Sequence, residues 1–212
     1  MTDATALEME PALARLVSLS AAAAAGDGAA LAEHAEGAIR EGAPPAAVYE
    51  ALLQSYLFLG FPRAIEALFA AKPVFDRHGG VPGGAPTVDL AGWREAGEDL
   101  CRRVYGRNYE KLVETMRGLS PDLAAWMILE GYGKTLSRPA LDPIAREYCV
   151  VAILTVTKMW RQLRSHAIGA VHVGGTRNGV REAIRLCAPF AGKAVVNEAL
   201  HAAGMEGSNA RR

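Results

Sequence analysis

The 212-residue sequence lacks several features that would each define a class of protein. It has only three cysteines, Cys101, Cys149 and Cys187, and they are far apart in the chain. An odd number of dispersed cysteines argues against a disulfide framework and is typical of a reducing compartment. The start of the chain carries no basic segment followed by an apolar one, so we expect no signal peptide and a cytoplasmic protein.

The sequence also lacks an excess of charge of either sign and lacks long apolar runs. Lysine plus arginine and aspartate plus glutamate both number 23, so the formal net charge is zero. This balance disfavours nucleic acid as a partner. The longest apolar run, from Tyr148 to Val156, is far below the ~20 residues that span a bilayer. The sequence therefore predicts a soluble protein with no membrane partner.

Helical periodicity dominates what is present, and alternating β-branched patterns are lacking, so we predict an all-α fold. Residues 72–90 hold three prolines and four glycines, which favour neither helix nor strand. We interpret them as a linker between an N-terminal part, residues 1–71, and a C-terminal part, residues 91–212. Long helices are expected over roughly 91–117 and 143–158, the second of them capped by Asp142 with Pro143 in its first turn, and another should begin at Ser120-Pro121.

The two parts are related by an internal repeat at the offset that separates His34 from His166. Residues 31–68 then match residues 163–200 without a gap, and both histidines and several glycines are among the identities. In each copy a helix carries the histidine and stops at Gly42 or Gly174, since glycine adopts the left-handed cap conformation at low cost. A second helix then begins at Pro44-Pro45 or at Thr176, and Gly60-Phe61-Pro62 is expected to break it and start a third.

The motifs of the second copy resemble a known family. They are L-D-P-I-A-R-E-Y (141–148), Q-L-R-S-H-A-I-G-A (162–170) and E-G-Y-G-K-T-L-S-R-P (130–139). They are similar to the carboxymuconolactone decarboxylase family, whose superfamily includes the alkylhydroperoxidase D-like proteins. In the first copy, E-A-L-L-Q-S-Y-L-F-L-G-F-P-R-A (50–64) resembles the second half of the same unit. The resemblance implies an all-α fold made of a duplicated alkylhydroperoxidase D-like helical unit, with a degenerate first copy. Because the family assembles rings of six units, it also implies a homo-oligomer, a trimer of two-copy chains.

The peroxidase branch of that superfamily uses a C-x-x-C pair before the histidine, and this sequence departs from it. The two cysteine positions are Met159 and Gln162 in the second copy and Asp27 and Ala30 in the first. A thiol peroxidase needs a low-pKa thiolate beside a resolving thiol. Cys149 lies in an apolar helix, where burial should raise its pKa. A peroxiredoxin-type oxidoreductase therefore remains only an alternative hypothesis.

The resemblance points to Glu147, Gln162 and His166 as catalytic residues, because Glu147 and His166 keep the family's spacing of nineteen residues. Gln162 and His166 share a helix face, and antiparallel pairing would bring Glu147 to them. A carboxylate orients an imidazole for acid/base work. The glutamate that the decarboxylase branch carries at the position of Gln162 is absent, which puts the family's substrate in doubt.

Four further side chains are expected to bind a substrate carboxylate: Arg146, Arg161, Arg164 and His34. For His34 we favour a structural role over substrate binding, since Arg15 stands where the second copy has its acid. The leading hypothesis is a carboxymuconolactone decarboxylase-like lyase that acts on a small carboxylated lactone or ring acid, with no cofactor and no metal. A non-catalytic scaffold or binding member of the family is the third hypothesis.

Overall fold

The computed structural model describes residues 9–84 and 87–206, and this part of the chain consists of helices and connections without a strand. The predicted all-α fold is thereby confirmed. Residues 1–8, 85–86 and 207–212 lie outside the described residues, and with them the start of the first copy, two residues of the predicted linker and the end of the second copy. The helices are α1 Pro11–Ala25, α2 Gly28–Arg40, α3 Pro45–Leu53, α4 Tyr56–Arg77, α5 Leu90–Tyr105, α6 Tyr109–Leu119, α7 Pro121–Trp126, α8 Pro143–Val156, α9 Trp160–His172, α10 Arg177–Arg185, α11 Ala188–Ala191 and α12 Lys193–Ala202, with a π-helical segment at Met127–Leu136.

The duplication is visible in the helix boundaries. At the offset of the sequence repeat, α2 and α3 coincide end to end with α9 and α10. Gly42 and Gly174, which follow the histidine helices, have φ values of 105° and 110°. Gly60 and Gly192 interrupt the next helical stretch with φ values of 74° and 83°. Positive φ is costly for any residue with a Cβ, so these glycines fix equivalent turns in both copies.

Capping residues start the helices where the sequence predicts. The Asp142 carboxylate accepts hydrogen bonds from the amides of Ile144 and Ala145 at the start of α8. The Thr176 hydroxyl accepts a hydrogen bond from the Gly179 amide at the start of α10. Such side chains satisfy amide groups that have no partner within the helix.

The two copies share one hydrophobic core. Every residue of α1 from Leu16 to Ala23 is buried, as is every residue of α8 from Ala145 to Thr155. These two helices pack against each other at the centre of the molecule. A helix that is apolar on nearly all sides is stable only when it is enclosed, which explains why α1 and α8 hold the central positions.

Three helix boundaries differ from the sequence predictions. The helix expected over 91–117 is broken after α5 by Gly106, whose φ is 54°. Helix α4 continues through Pro73 to Arg77, because the burial of Val74 and Phe75 compensates for the hydrogen bond that proline cannot make. Helix α3 ends at Leu53, so the second helix of the first copy stops before it reaches Gly60, the residue that was predicted to break it.

Helix α5 covers the second copy and is held there by close backbone contacts. A Cβ atom on Gly133 would collide with the carbonyl of Trp93, and one on Gly97 would collide with the carbonyl of Ile128. At its other end, His172 Nδ1 of α9 donates a hydrogen bond to the Val104 carbonyl at 2.8 Å. Helix α5 is thus fixed between the π-helical segment and α9. Within the described residues no helix is both long and apolar enough to cross a bilayer.

Candidate functional site

Helices α8 and α9 bring Glu147 and His166 together in the second copy. Glu147 Oε2 lies 2.8 Å from His166 Nδ1, and the two side chains are only 5% and 8% exposed. A carboxylate only accepts, so Nδ1–H donates and the neutral imidazole keeps its lone pair on Nε2. Nε2 makes no hydrogen bond to the described residues. This is the arrangement expected of an oriented acid/base.

A glycine makes room for this pair. A Cβ on Gly169 would lie 3.3 Å from Glu147 Oε2 and 2.6 Å from Val104 Cγ1, a carbon of α5. The second distance is too short for any real side chain. Position 169 therefore has no room for a Cβ between the Glu147 carboxylate and Val104.

Phe58 of the first copy lies against His166. The ring centroids are 5.5 Å apart and the planes meet at 83°, an edge-to-face contact. Its repeat counterpart Phe190 makes the same kind of contact with His34, at 6.0 Å and 66°. Each copy thus supplies the aromatic ring that covers the histidine of the other. Phe58 was not predicted as a site residue, although it is one of the identities of the repeat.

Three neutral groups from the covering layer lie near Glu147. Burial raises the pKa of the Cys101 thiol and of the Tyr105 phenol to about 12, and the charge of Glu147 adds to both effects. Burial also raises the pKa of Tyr132 well above its usual range, with Tyr105 and Glu147 contributing. Cys101 and Tyr105 come from α5 and Tyr132 from the π-helical segment. None of the three was predicted as a site residue, and the one signal in the sequence was the family-like segment 130–139, which contains Tyr132.

The other two cysteines are also buried. Burial raises the pKa of both Cys149 and Cys187 to about 12. The prediction for Cys149 is confirmed. Thiols of this kind are protonated at neutral pH and poorly nucleophilic, so the structure offers no low-pKa thiolate for peroxidase chemistry.

The remaining predicted residues of α9 lie outside the pair. Gln162, Arg161 and Arg164 are exposed. Gln162 is one turn before His166 and makes no hydrogen bond with the described residues. The structure therefore brings together two of the three predicted catalytic side chains.

Arg146 occupies a position between the two copies instead of facing a hollow. Its Nη2 lies 2.9 Å from Glu50 Oε2, and its Nη1 donates to Gln54 Oε1 at 3.1 Å. Its Nε and Nη2 also donate to the carbonyls of Leu141 and Arg138. All three nitrogens are used by protein groups, and Arg146 is only 2% exposed. The expectation that it binds a substrate carboxylate is therefore corrected: its partners are internal.

In the first copy, Arg15 takes the place of the carboxylate. Arg15 Nη1 lies 3.4 Å from His34 Nδ1, and Arg15 Nε donates to Glu41 Oε1 at 3.2 Å. Burial lowers the pKa of His34, and the charge of Arg15 lowers it further. The first-copy histidine is therefore neutral and has a cationic neighbour.

Two surface hollows lie apart from Glu147 and His166. One of about 490 Å³ is lined by residues of α5 together with Leu129, and one of about 340 Å³ is lined by residues of α1, α2 and α4 with the Gly26–Gly28 turn. His166 is instead buried, with Phe58 and Glu147 against its ring. No three His, Cys, Asp or Glu side chains of residues 9–84 and 87–206 are grouped to hold a metal ion.

Comparison with known proteins places this chain in a family. The family model "Carboxymuconolactone decarboxylase family" matches residues 5–73 and 121–204, which is most of the chain. The chain belongs to the carboxymuconolactone decarboxylase family. The stretch between the two matches contains the whole of α5 and α6, so the helix that covers Glu147 lies outside the segments that the family model matches.

A curated relative is Peroxisomal protein 2 of Schizosaccharomyces pombe. It is 29% identical over 139 residues, which are 63% of this chain and 63% of the relative. Its name states a compartment and no reaction.

Proposed function

We propose that this chain is a carboxymuconolactone decarboxylase-like lyase that uses His166 as its acid/base on a small carboxylated lactone or ring acid. The observation that carries the proposal is the 2.8 Å contact between Glu147 Oε2 and His166 Nδ1. Glu147 fixes the ring, so any proton that His166 exchanges with a substrate passes through Nε2. No group of the protein competes for that nitrogen within the described residues.

The proposed reaction breaks the bond between the carboxylate carbon and the ring. Carbon dioxide leaves, and the bonding electron pair stays on the ring carbon, where it must be delocalised. Protonated His166 then delivers the proton from Nε2 to that carbon and recovers it from water. Exposed Gln162, Arg161 and Arg164 line the same helix and are proposed to hold the substrate's polar groups.

The substrate must displace Phe58, because this ring packs on His166. Replacing Phe58 with alanine is therefore expected to speed the modification of His166 by diethyl pyrocarbonate, read by peptide mass spectrometry. Phe190→Ala is the matched control, since it uncovers His34 and leaves His166 covered. Equal labelling of His166 in the two variants would contradict the assignment of Phe58 as its cover.

Turnover is the direct test. A panel of carboxylated lactones and unsaturated ring acids is assayed for release of carbon dioxide with the wild type, Glu147→Gln and His166→Gln. Because His166→Gln removes the proposed acid/base group, it is expected to lower kcat by about 10²–10⁴-fold. His201→Gln is the matched control, because His201 pairs with Glu206 at 2.7 Å on the surface. Undiminished turnover in His166→Gln, or none on any substrate by the wild type, refutes the proposal.

The near-complete burial of His166 favours a second candidate, a non-catalytic binding or scaffold member of the family. His166 is 6% exposed and neither hollow includes it. Under this candidate Glu147→Gln and His166→Gln reduce stability and change no turnover. The substrate panel and a denaturation curve for each variant decide between the two.

We also propose that the chain forms a homotrimer. Phe61, Ile65 and Phe69 are spaced four residues apart on α4 and are 64%, 46% and 66% exposed, so they present an apolar stripe to solvent. Covering this stripe with another copy would remove it from water. A molar mass of three chains by light scattering is expected, and a monomeric mass at all concentrations refutes the trimer.

A further inference from the structure

Phe58, whose ring lies against His166, belongs to a single helical turn that is interrupted on both sides. Helix α3 ends before it, and residues 54–55 form a turn. After it, Gly60 leaves helical geometry, with φ 74° and ψ 167°. We call the four residues between these interruptions, 56–59, the cover segment. One turn of helix makes too few hydrogen bonds to be stable by itself, so the contacts of its side chains must hold it in place.

Tyr56 joins the cover segment to the π-helical segment of the second copy. Its hydroxyl lies 2.8 Å from Thr135 Oγ1 and 3.2 Å from Glu130 Oε1. A carboxylate only accepts, so the Tyr56 hydroxyl donates to Glu130 and accepts from Thr135. Burial raises the pKa of Tyr56, and the charge of Glu130 adds to this effect, so the hydroxyl keeps its proton at neutral pH. Thr135 is only 1% exposed, which makes the loss of its partner costly.

Other contacts of the cover segment do not need this hydroxyl. The Tyr56 ring lies 5.2 Å from the Phe61 ring, and Lys134 Nζ is 5.9 Å from its centroid. The next residue, Leu57, packs against the apolar cluster formed by α5 and the π-helical segment. A phenylalanine at position 56 would therefore keep the packing and lose only the two hydrogen bonds. The contribution of the hydroxyl can thus be measured separately.

The ring that lies against His34 has no tie of this kind. The repeat counterpart of Tyr56 is Ala188, the first residue of α11, which carries Phe190. Phe190 contacts the His34 ring as Phe58 contacts His166. Alanine has no side-chain donor or acceptor, so the hydrogen-bonded hold is present at one histidine and absent at the other. His34 therefore serves as an internal reference within the same molecule.

We propose that Tyr56 is a positioning residue: its hydrogen bonds to Glu130 and Thr135 hold Phe58 on His166, and their release lets the cover segment pivot at Gly60 and admit a solute to the imidazole. That this solute is the substrate of the second copy rests on the proposed function. The hold itself is a property of the folded chain and is measured without turnover.

The test measures the rate at which diethyl pyrocarbonate modifies His166 near neutral pH, read by peptide mass spectrometry. Tyr56→Phe is expected to raise this rate about tenfold, because the closed state loses a hydrogen bond to a charged group. In the same digest, His34 and the exposed His201 should keep their wild-type rates. An unchanged rate at His166 overturns the proposal, as does an equal acceleration at His34, which would indicate a general loosening of the fold.

Tyr49→Phe is the matched control. Tyr49 is a half-buried tyrosine of the first copy that packs edge-to-face on Phe75, and its hydroxyl makes no hydrogen bond to the described residues. Its replacement should leave the labelling of His166 unchanged. Acceleration equal to that in Tyr56→Phe would overturn the assignment of the hold to the Tyr56 hydroxyl.

A double-mutant cycle shows whether Tyr56 acts through Phe58. Phe58→Ala removes the ring, so Tyr56→Phe should accelerate labelling no further in that background. Effects of the two substitutions that multiply would overturn the proposal.

The partner side of the contact provides a second pair of variants. Thr135→Val removes the hydroxyl that donates to Tyr56 and should also speed the labelling of His166, whereas Thr135→Ser keeps the hydroxyl and should label like the wild type. An unaltered rate in Thr135→Val contradicts the hold. Absence of turnover on every member of the substrate panel would refute the proposed function and leave these labelling rates as predicted, so the two proposals fail separately.

Discussion

A single side chain distinguishes the two histidine environments of this protein: arginine at position 15 and glutamate at position 147. Both side chains contact Nδ1 of a histidine nineteen residues later. Both lie against a glycine three residues after that histidine. The chemistry available to each imidazole is therefore set by one residue within a frame that the duplication preserved.

Cysteine chemistry can be tested at the same scale. With a pKa of about 12, each of Cys101, Cys149 and Cys187 is ionised in only roughly one molecule in ten thousand at pH 8. Because the pKa is raised, reactivity should stay low through neutral pH and increase only in strong alkali. We expect the native protein to react negligibly with Ellman's reagent at pH 8. After denaturation, three thiols per chain should react. Rapid reaction of one thiol in the native state would contradict the burial described above and revive the oxidoreductase hypothesis.

At the scale of elements, the packing of α5 on the π-helical segment depends on two glycines. Gly133→Ala would place a methyl group against the Trp93 carbonyl, which cannot move without displacing α5. We expect a loss of unfolding free energy of about 1–3 kcal/mol, measured by chemical denaturation. Gly118→Ala in α6 is the control, because nothing lies within 4 Å of the added Cβ. It should be neutral or stabilising by up to about 1 kcal/mol. Similar effects of the two substitutions would show that α5 does not approach as closely as described.

How much of these elements the sequence could predict depends on the range of the interactions. The caps at Asp142 and Thr176 and the stops at Gly42 and Gly174 are local, and they were predicted correctly. The Glu147–His166 contact follows from a short antiparallel connection and was also foreseen. The cover from α5 was not, because it depends on how a segment outside the repeat packs on α9. The role of Arg146 was missed for the same reason, since Glu50 lies 96 residues away in the chain.

For the whole molecule, the buried network around Arg146 joins the two copies. Arg146 and Glu50 are each 2% exposed and contact at 2.9 Å, and Arg138 adds a second ion pair to Glu50 at 2.7 Å. Arg146→Met leaves a buried carboxylate with fewer partners, so we expect a loss of about 3–5 kcal/mol of unfolding free energy. Because the copies share one core, the denaturation curve should remain a single transition. Arg161→Met changes an exposed arginine and should alter stability by less than about 0.5 kcal/mol.

Two results would contradict a common core joined by the Arg146 network. A variant Arg146→Met as stable as Arg161→Met would mean that the network contributes nothing to holding the copies together. Two separate transitions in the wild type, one for each copy, would mean that the helices α1 and α8 do not form a common core.

The exchange of Phe58 and Phe190 between the copies also bears on how such a protein arises. A single unit with this geometry has no ring for its own imidazole, so it would be complete only after pairing with a second subunit. Joining two units in one polypeptide makes that pairing intramolecular. The effective concentration of one unit near the other is then set by the linker and not by the protein concentration. Two tethered halves need not be identical, which permits arginine at position 15 beside one imidazole and glutamate at position 147 beside the other.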